Sequence, residues 1–148
     1  MTLNYNHDNK PVANILVVDD ELDNATVIKK GLVQSKFLVS SFTSPVAALE
    51  NFRQHSKDYC LILSDVRMPQ MNGFELARHA KRLNPNIKIV LMTAFEINTS
   101  EFSKVMPSTE IDDFVSKPAS ISALRGVILK HVGTTKSLLG GELNDAPR

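Results

Sequence analysis

The chain reads as an α/β domain: a doubly wound, five-stranded parallel sheet with helices on both faces. Three observations predict it. Five short apolar runs, Ile15–Val18, Phe37–Phe42, Leu61–Leu63, Ile87–Met92 and Phe114–Val115, alternate with helical patterns. The first, third and fourth runs are nearly continuous Ile, Leu and Val, the pattern of strands buried on both faces. The 148 residues, 43% of them hydrophobic, suit one domain with a core of its own.

The elements follow in order. Residues 1–13 are expected to be an N-terminal tail, 14–133 the domain, and 134–148 a C-terminal tail. After the first run, Glu21 to Lys36 places Leu22, Ala25, Ile28 and Leu32 on one helical face. After the second, Ser44 can cap a helix with Pro45 in its first turn, and Val46, Leu49 and Phe52 form its apolar stripe. After the third, Gly73 leads into Phe74, Ala77 and Ala80, and Asn84-Pro85 stops the helix. A short fourth helix is expected over Ser100–Met106, broken by Pro107. The fifth carries Ile121, Leu124 and Ile128 and ends near Gly133. Crossovers between such parallel strands are right-handed almost by default.

Composition removes several classes. Lys plus Arg is 17 and Asp plus Glu is 16, a net charge of +1, so there is no bulk signal for nucleic acid or an anionic membrane. No apolar stretch reaches the ~18 residues a membrane span needs. The single Cys60 sits in an apolar run, excludes a disulfide framework and reads as a small core hydrophobe. With no apolar h-region near the N-terminus, a cytoplasmic setting is expected. His7, His55, His79 and His131 share no motif spacing and are assigned no function.

Ligands of open α/β sheets bind outside the carboxyl ends of the strands, where strand order reverses. Here those ends are Asp19-Asp20-Glu21, Ser64-Asp65, Thr93-Ala94 and Ser116-Lys117-Pro118. Each has a plainer reading. Asp19-Asp20-Glu21 could simply favour a helix N-terminus, Asp65 could be a turn residue, and Lys117 a solvated loop lysine. Four polar strand ends at one sheet edge make coincidence a poor account of them together. Asp19, Asp20 and Asp65 against Lys117 leave a local charge of −2. Gathered carboxylates repel, and a hard divalent cation would cancel the sum. Oxygen donors suit Mg2+, and no His/Cys set points to zinc.

The chain resembles a response regulator receiver domain, the phosphoacceptor half of two-component signalling. The resemblance rests on Val17-Val18-Asp19-Asp20-Glu21, Asp65-Val66-Arg67-Met68-Pro69-Gln70-Met71-Asn72-Gly73, Met92-Thr93-Ala94 and Phe114-Val115-Ser116-Lys117-Pro118, in that order. It implies a flavodoxin-like strand order 2-1-3-4-5, which sets strands 1 and 3 side by side. It implies that Asp65 is the phosphoacceptor, taking a phosphoryl group from a histidine kinase or a histidine phosphotransfer protein. Asp20 would be a direct Mg2+ ligand, Asp19 would act mainly through a bound water, and the Arg67 carbonyl would complete the set. Thr93, Lys117 and the backbone amides of Arg67 and Ala94 would contact the phosphoryl group. Thr93 and Phe114 would be the switch residues, and Pro69 and Gly73 would shape the loop after strand 3. The chain would catalyse only its own phosphorylation and dephosphorylation. Output would run through the face of helix 4, strand 5 and helix 5, toward a downstream protein or a second copy in a homodimer.

Departures from the family pattern are few. Ser108-Thr109-Glu110-Ile111 replaces a small-residue turn, and Phe95 and Arg67 are bulky at positions expected to flank water's approach to the phosphorus. Slow dephosphorylation is the expectation. A flavin- or nucleotide-binding relative would need a Gly/Ser/Thr phosphate loop where Asp19-Asp20-Glu21 stands. A phosphatase with an Asp nucleophile would need a second Asp two places after the first, and the spacing fails. A degenerate interaction module would lack Asp65 or Lys117. The open alternative is functional: a terminal output regulator, or a relay intermediate passing phosphate to a histidine phosphotransfer protein.

Overall fold

The computed structural model describes residues 4–5, 11–94 and 111–132 of the chain. Strands β1 (Asn14–Val18), β2 (Leu38–Phe42), β3 (Leu61–Asp65), β4 (Lys88–Thr93) and β5 (Asp113–Ser116) form the main sheet. Its order is β2-β1-β3-β4-β5, and every pairing is parallel. This is the predicted doubly wound arrangement, with the reversal between β1 and β3. Helices α1 (Leu22–Gln34), α2 (Pro45–His55), α3 (Gly73–Leu83) and α4 (Ile121–Val132) cover it. Thus α4 is the fifth helix of the sequence reading; the helix expected over Ser100–Met106 lies outside the described residues. Outside the main sheet, Asn4–Tyr5 pairs antiparallel with Pro11–Val12.

Strand alternation divides the core in two. Ile15, Val17, Leu61, Leu63, Val90, Met92 and Val115 point to one face and pack with Ile28 and Leu32 of α1 and Leu124 and Ile128 of α4. Leu16, Val18, Ile62, Ile89 and Leu91 point to the other and pack with α2 and α3. Cys60 is buried among the first set, as expected of a small hydrophobe, and burial pushes its thiol up. Gly31 lets α1 and α4 meet, because a Cβ there would strike the side chain of Ile121.

Two stripe residues fall outside the core. Leu22 is 67% exposed, because it opens α1 ahead of the turn that first reaches the sheet at Ala25. Val46 is 49% exposed. The buried row of α2 is Pro45, Ala48, Leu49 and Phe52, an i, i+3, i+4, i+7 series from which Val46 stands one residue off. The caps explain the helix starts. Ser44 Oγ accepts from the Ala47 N–H at 3.1 Å, as predicted. At α3 the sequence reading named Gly73 but missed the cap. Asn72 and Glu75 form a reciprocal capping box, at 2.9 and 3.1 Å, and Asn-x-x-Glu was its signal. The helix stops at Asn84, before Pro85.

Candidate functional site

The carboxyl ends of β1, β3, β4 and β5 converge as their polar endings predicted. Asp65 is the last residue of β3 and continues the face of Leu61 and Leu63. Lys117 Nζ lies 2.8 Å from Asp65 Oδ1 and 3.4 Å from Asp19 Oδ2. Asp19 is fully buried, and its Oδ1 also accepts from the Glu21 N–H at 2.9 Å. Asp20 is exposed at the mouth. The backbone fastens these ends to β4: the Val66 N–H donates to the Met92 carbonyl at 3.0 Å, and the Lys117 N–H to the Thr93 carbonyl at 2.7 Å. A cavity of about 250 Å3 lies over them, lined by Asp20, Glu21, Asp65, Arg67, Thr93, Ala94 and Lys117, among others.

The loop after β3 is held close. The Gly73 N–H donates to the Val66 carbonyl at 2.8 Å, and any Cβ at Gly73 would collide with the Asp65 carbonyl. Only glycine allows α3 to start this near the β3 end. Ser64, fully buried, donates from Oγ to the Asp65 carbonyl at 2.9 Å. The sequence reading gave Ser64 and Glu21 no role; the sequence signal was their adjacency to Asp65 and Asp20. Phe95, expected to flank the site, lies outside the described residues.

Electrostatics follow from burial. Desolvation raises the Asp65 carboxyl, the hydrogen bond from Lys117 opposes this, and the nearby Asp19 charge adds to it, leaving Asp65 at about 7. Burial works against the Lys117 charge, yet its hydrogen bond to Asp65 and the Asp65 and Asp19 charges outweigh that and raise its ammonium above the ordinary lysine value. Acceptor atoms of Asp19, Asp20 and Asp65 all lie within 4.8 Å of one another. An all-oxygen set with excess negative charge, one carboxyl of it driven toward neutrality, fits a hard divalent cation such as Mg2+. Zinc's His/Cys chemistry is absent from this cluster.

Thr93 and Phe114 use the other face. Thr93, two after Leu91, is buried yet reaches the cavity. The Phe114 ring packs beside Phe74, at the start of α3, with centroids 6.4 Å apart and a 57° tilt.

The profile of the response regulator receiver domain matches residues 15–129. The chain belongs to that family. This receiver domain is 33% identical over 132 residues to the transcriptional regulatory protein ZraR of Escherichia coli K12; the match covers 89% of this chain and 28% of that relative's length. The chain thus spans under a third of that relative. Among solved structures, it superposes on a receiver domain protein of Clostridium thermocellum with a TM-score of 0.74 at 22% identity, covering 87% and 100% of the two chains. It superposes on the CheX–CheY complex of Borrelia burgdorferi, which contains BeF3 and Mg2+, with a TM-score of 0.72 at 16% identity, covering 85% and 93%. Receiver domains are signalling domains of two-component systems, and their acidic pocket binds Mg2+.

Proposed function

We propose that this receiver domain is a phosphorylation-activated switch in which Asp65 accepts the phosphoryl group. One observation carries the reading: Lys117 Nζ lies 2.8 Å from Asp65 Oδ1, beside Asp19 and Asp20, at the floor of one cavity. An Asp65 oxygen attacks phosphorus, the phosphorus–nitrogen bond of a phosphohistidine breaks, and its electron pair returns to the imidazole, which then takes up a proton. The product is an acyl phosphate. Phosphoryl transfer asks chiefly for in-line positioning and charge neutralisation. Lys117 turns from the consumed carboxylate oxygen to a phosphoryl oxygen. The Thr93 hydroxyl and the Arg67 and Ala94 amides donate to the others. Asp19, Asp20, Asp65 and the Arg67 carbonyl would hold Mg2+, which when bound neutralises charge on a phosphoryl oxygen and the carboxylates.

The donor is a histidine kinase or a histidine phosphotransfer protein. A second, larger cavity of about 570 Å3 supports this. It lies between α1 and α4, is lined largely by apolar groups such as Val27, Ile28, Pro118, Ile121 and Leu124, and shares Lys117 and Glu21 with the first. A helix presenting a phosphohistidine fits such a groove beside the acceptor. Output runs from Thr93 to Phe114 and changes the face of β5 and α4, toward a downstream protein or a second copy. Among the described residues no helix is long and apolar enough to cross a membrane. Residues 14–133 are the working unit. Incubation with acetyl phosphate and Mg2+ should add one phosphoryl group by intact mass, and Asp65→Asn should add none; equal labelling of the variant overturns the assignment.

A further inference from the structure

β5 is an edge strand, so alternate N–H groups along it face away from the sheet. Two adjacent acids, Asp112 just before the strand and Asp113 at its start, turn to opposite faces. Asp112 turns toward α3. Its Oδ2 accepts from Lys81 Nζ at 3.2 Å and from the Ile89 N–H at 2.7 Å. Asp113 turns toward α4, where its Oδ2 lies 2.9 Å from His131 Nε2 and 3.3 Å from Lys130 Nζ. Its other oxygen, Oδ1, accepts from the Phe114 N–H at 2.9 Å. One carboxylate therefore ties the backbone of Phe114 to the last turn of α4. The His131 side chain is 15% exposed and Lys130 68%, so His131 is the firmer anchor. Burial opposes the Asp113 charge, but the bonds from His131, the Phe114 amide and Lys130 hold its carboxyl below the usual range.

We propose that Asp113 is a positioning residue of the switch: through His131 it sets the rest position of Phe114 against Phe74. The inference rests on the reading that Phe114 moves when Asp65 is phosphorylated. Bonds made in the rest arrangement stabilise it against any arrangement that strains them. Weakening the tie therefore lets Phe114 leave its rest position more readily, while the reacting groups, at the carboxyl edge of the sheet, are untouched. Asp113→Asn keeps an acceptor for the Phe114 N–H but removes the charge that holds α4. His131→Gln weakens the anchor from the other side, replacing the ring with a flexible neutral amide.

Fluorine NMR of the 148-residue chain grown with fluorophenylalanine tests it, the Phe114 line being assigned by its loss in Phe114→Leu. Beryllofluoride with Mg2+ marks the line position of the moved state. Without it, both variants should shift the line toward that position, by about a two- to fivefold rise in moved population, the scale of one partly exposed contact between a carboxylate and a basic side chain. The double variant should shift it no further than the larger single effect, since both cut one link. Acetyl phosphate should label Asp65 in each variant within about twofold of wild type, which also shows that they fold; should Asp113→Asn fail to fold, His131→Gln carries the test. A wild-type line that moves with beryllofluoride, with variant lines resting where wild type rests, overturns the role of Asp113 alone. A wild-type line that beryllofluoride leaves in place overturns the switch reading and this inference with it.

Discussion

The two faces of the sheet differ at its carboxyl edge. On the face of α1 and α4 stand Asp65 and the lysine that holds it, above the buried row of Leu61 and Leu63. On the face of α3 stand Thr93 and Phe114, the latter against Phe74. The first side is ionic, with both carboxylates that contact Lys117 buried. The second is apolar and only partly buried at Phe114, on an edge strand paired along one side. On the proposed reading, the group that reacts stands on a strand buried over its whole length, and the group that responds on an edge strand that is only partly buried. Chemistry needs fixed distances, whereas a switch needs two arrangements close in free energy. Thr93 joins the sides, because it reaches the cavity from the responding face.

If that division holds, substitutions on the two faces separate acceptance of the phosphoryl group from response to it. The largest effect belongs to Lys117→Ala. It removes the cation that neutralises transferred charge, and acetyl phosphate labelling of Asp65 should slow by about a hundredfold, the scale of losing one preorganised donor. Labelling within threefold of wild type would remove Lys117 from the reacting set. Next come the carboxylates. Asp20 is exposed at the mouth, whereas Asp19 is buried and engaged by Lys117 and the Glu21 amide. Asp20→Asn should therefore weaken Mg2+ binding by about tenfold or more in a titration, and more than Asp19→Asn does. The reverse ranking would exchange their roles.

A smaller effect concerns stability and pH. The folded Asp65 carboxyl rests at about 7, above the ordinary carboxylate range. A raised acid takes up its proton more readily when folded. Its favourable contribution is full below the unfolded value near 4 and is lost as pH rises through about 7. The urea midpoint of metal-free wild type should thus fall between pH 5 and pH 8 partly through Asp65. Asp65→Asn should flatten that fall, and Mg2+ should restore the midpoint at pH 8 in wild type only. An equal fall in the variant would place the pH dependence elsewhere. The smallest effect on chemistry is expected on the responding face. Phe114→Leu should leave labelling within about twofold of wild type. The same variant should blunt the amide shift changes that beryllofluoride produces from Phe114 to Ile121. A large loss of labelling would show that the faces are not separable.

Much of this was legible in the chain. Ile15–Val18, Leu61–Leu63 and Ile87–Met92 can be read as doubly buried strands because parallel strands need apolar residues on both sides. Alternation alone leaves the faces of Asp65 and Thr93 open; the register that pairs Asp65 with Met92 puts them on opposite faces. Ser44 and Asn84-Pro85 mark helix ends through local chemistry, which the sequence contains in full. The site was legible for a related reason: its residues cluster in four short motifs at strand ends. Periodicity was less reliable at the first turns of helices. Leu22 and Val46 keep helical spacing with buried neighbours but stand in solvent, because burial depends on what lies beneath each turn.

The sequence by itself determined the alternation of elements, the alternation of successive residues between faces and the residue types at the carboxyl edge, since these follow from local sterics and apolar pattern. Tertiary structure decided the pairings between distant positions. Lys81 reaches Asp112 across 31 residues, and His131 reaches Asp113 across 18. No spacing rule foretells such contacts, because they depend on strand order and helix packing rather than on the chain's own period. His131 shows the difference most clearly: it shares no motif with any other residue, and only the packing of α4 on β5 brings its ring to the carboxylate beside Phe114.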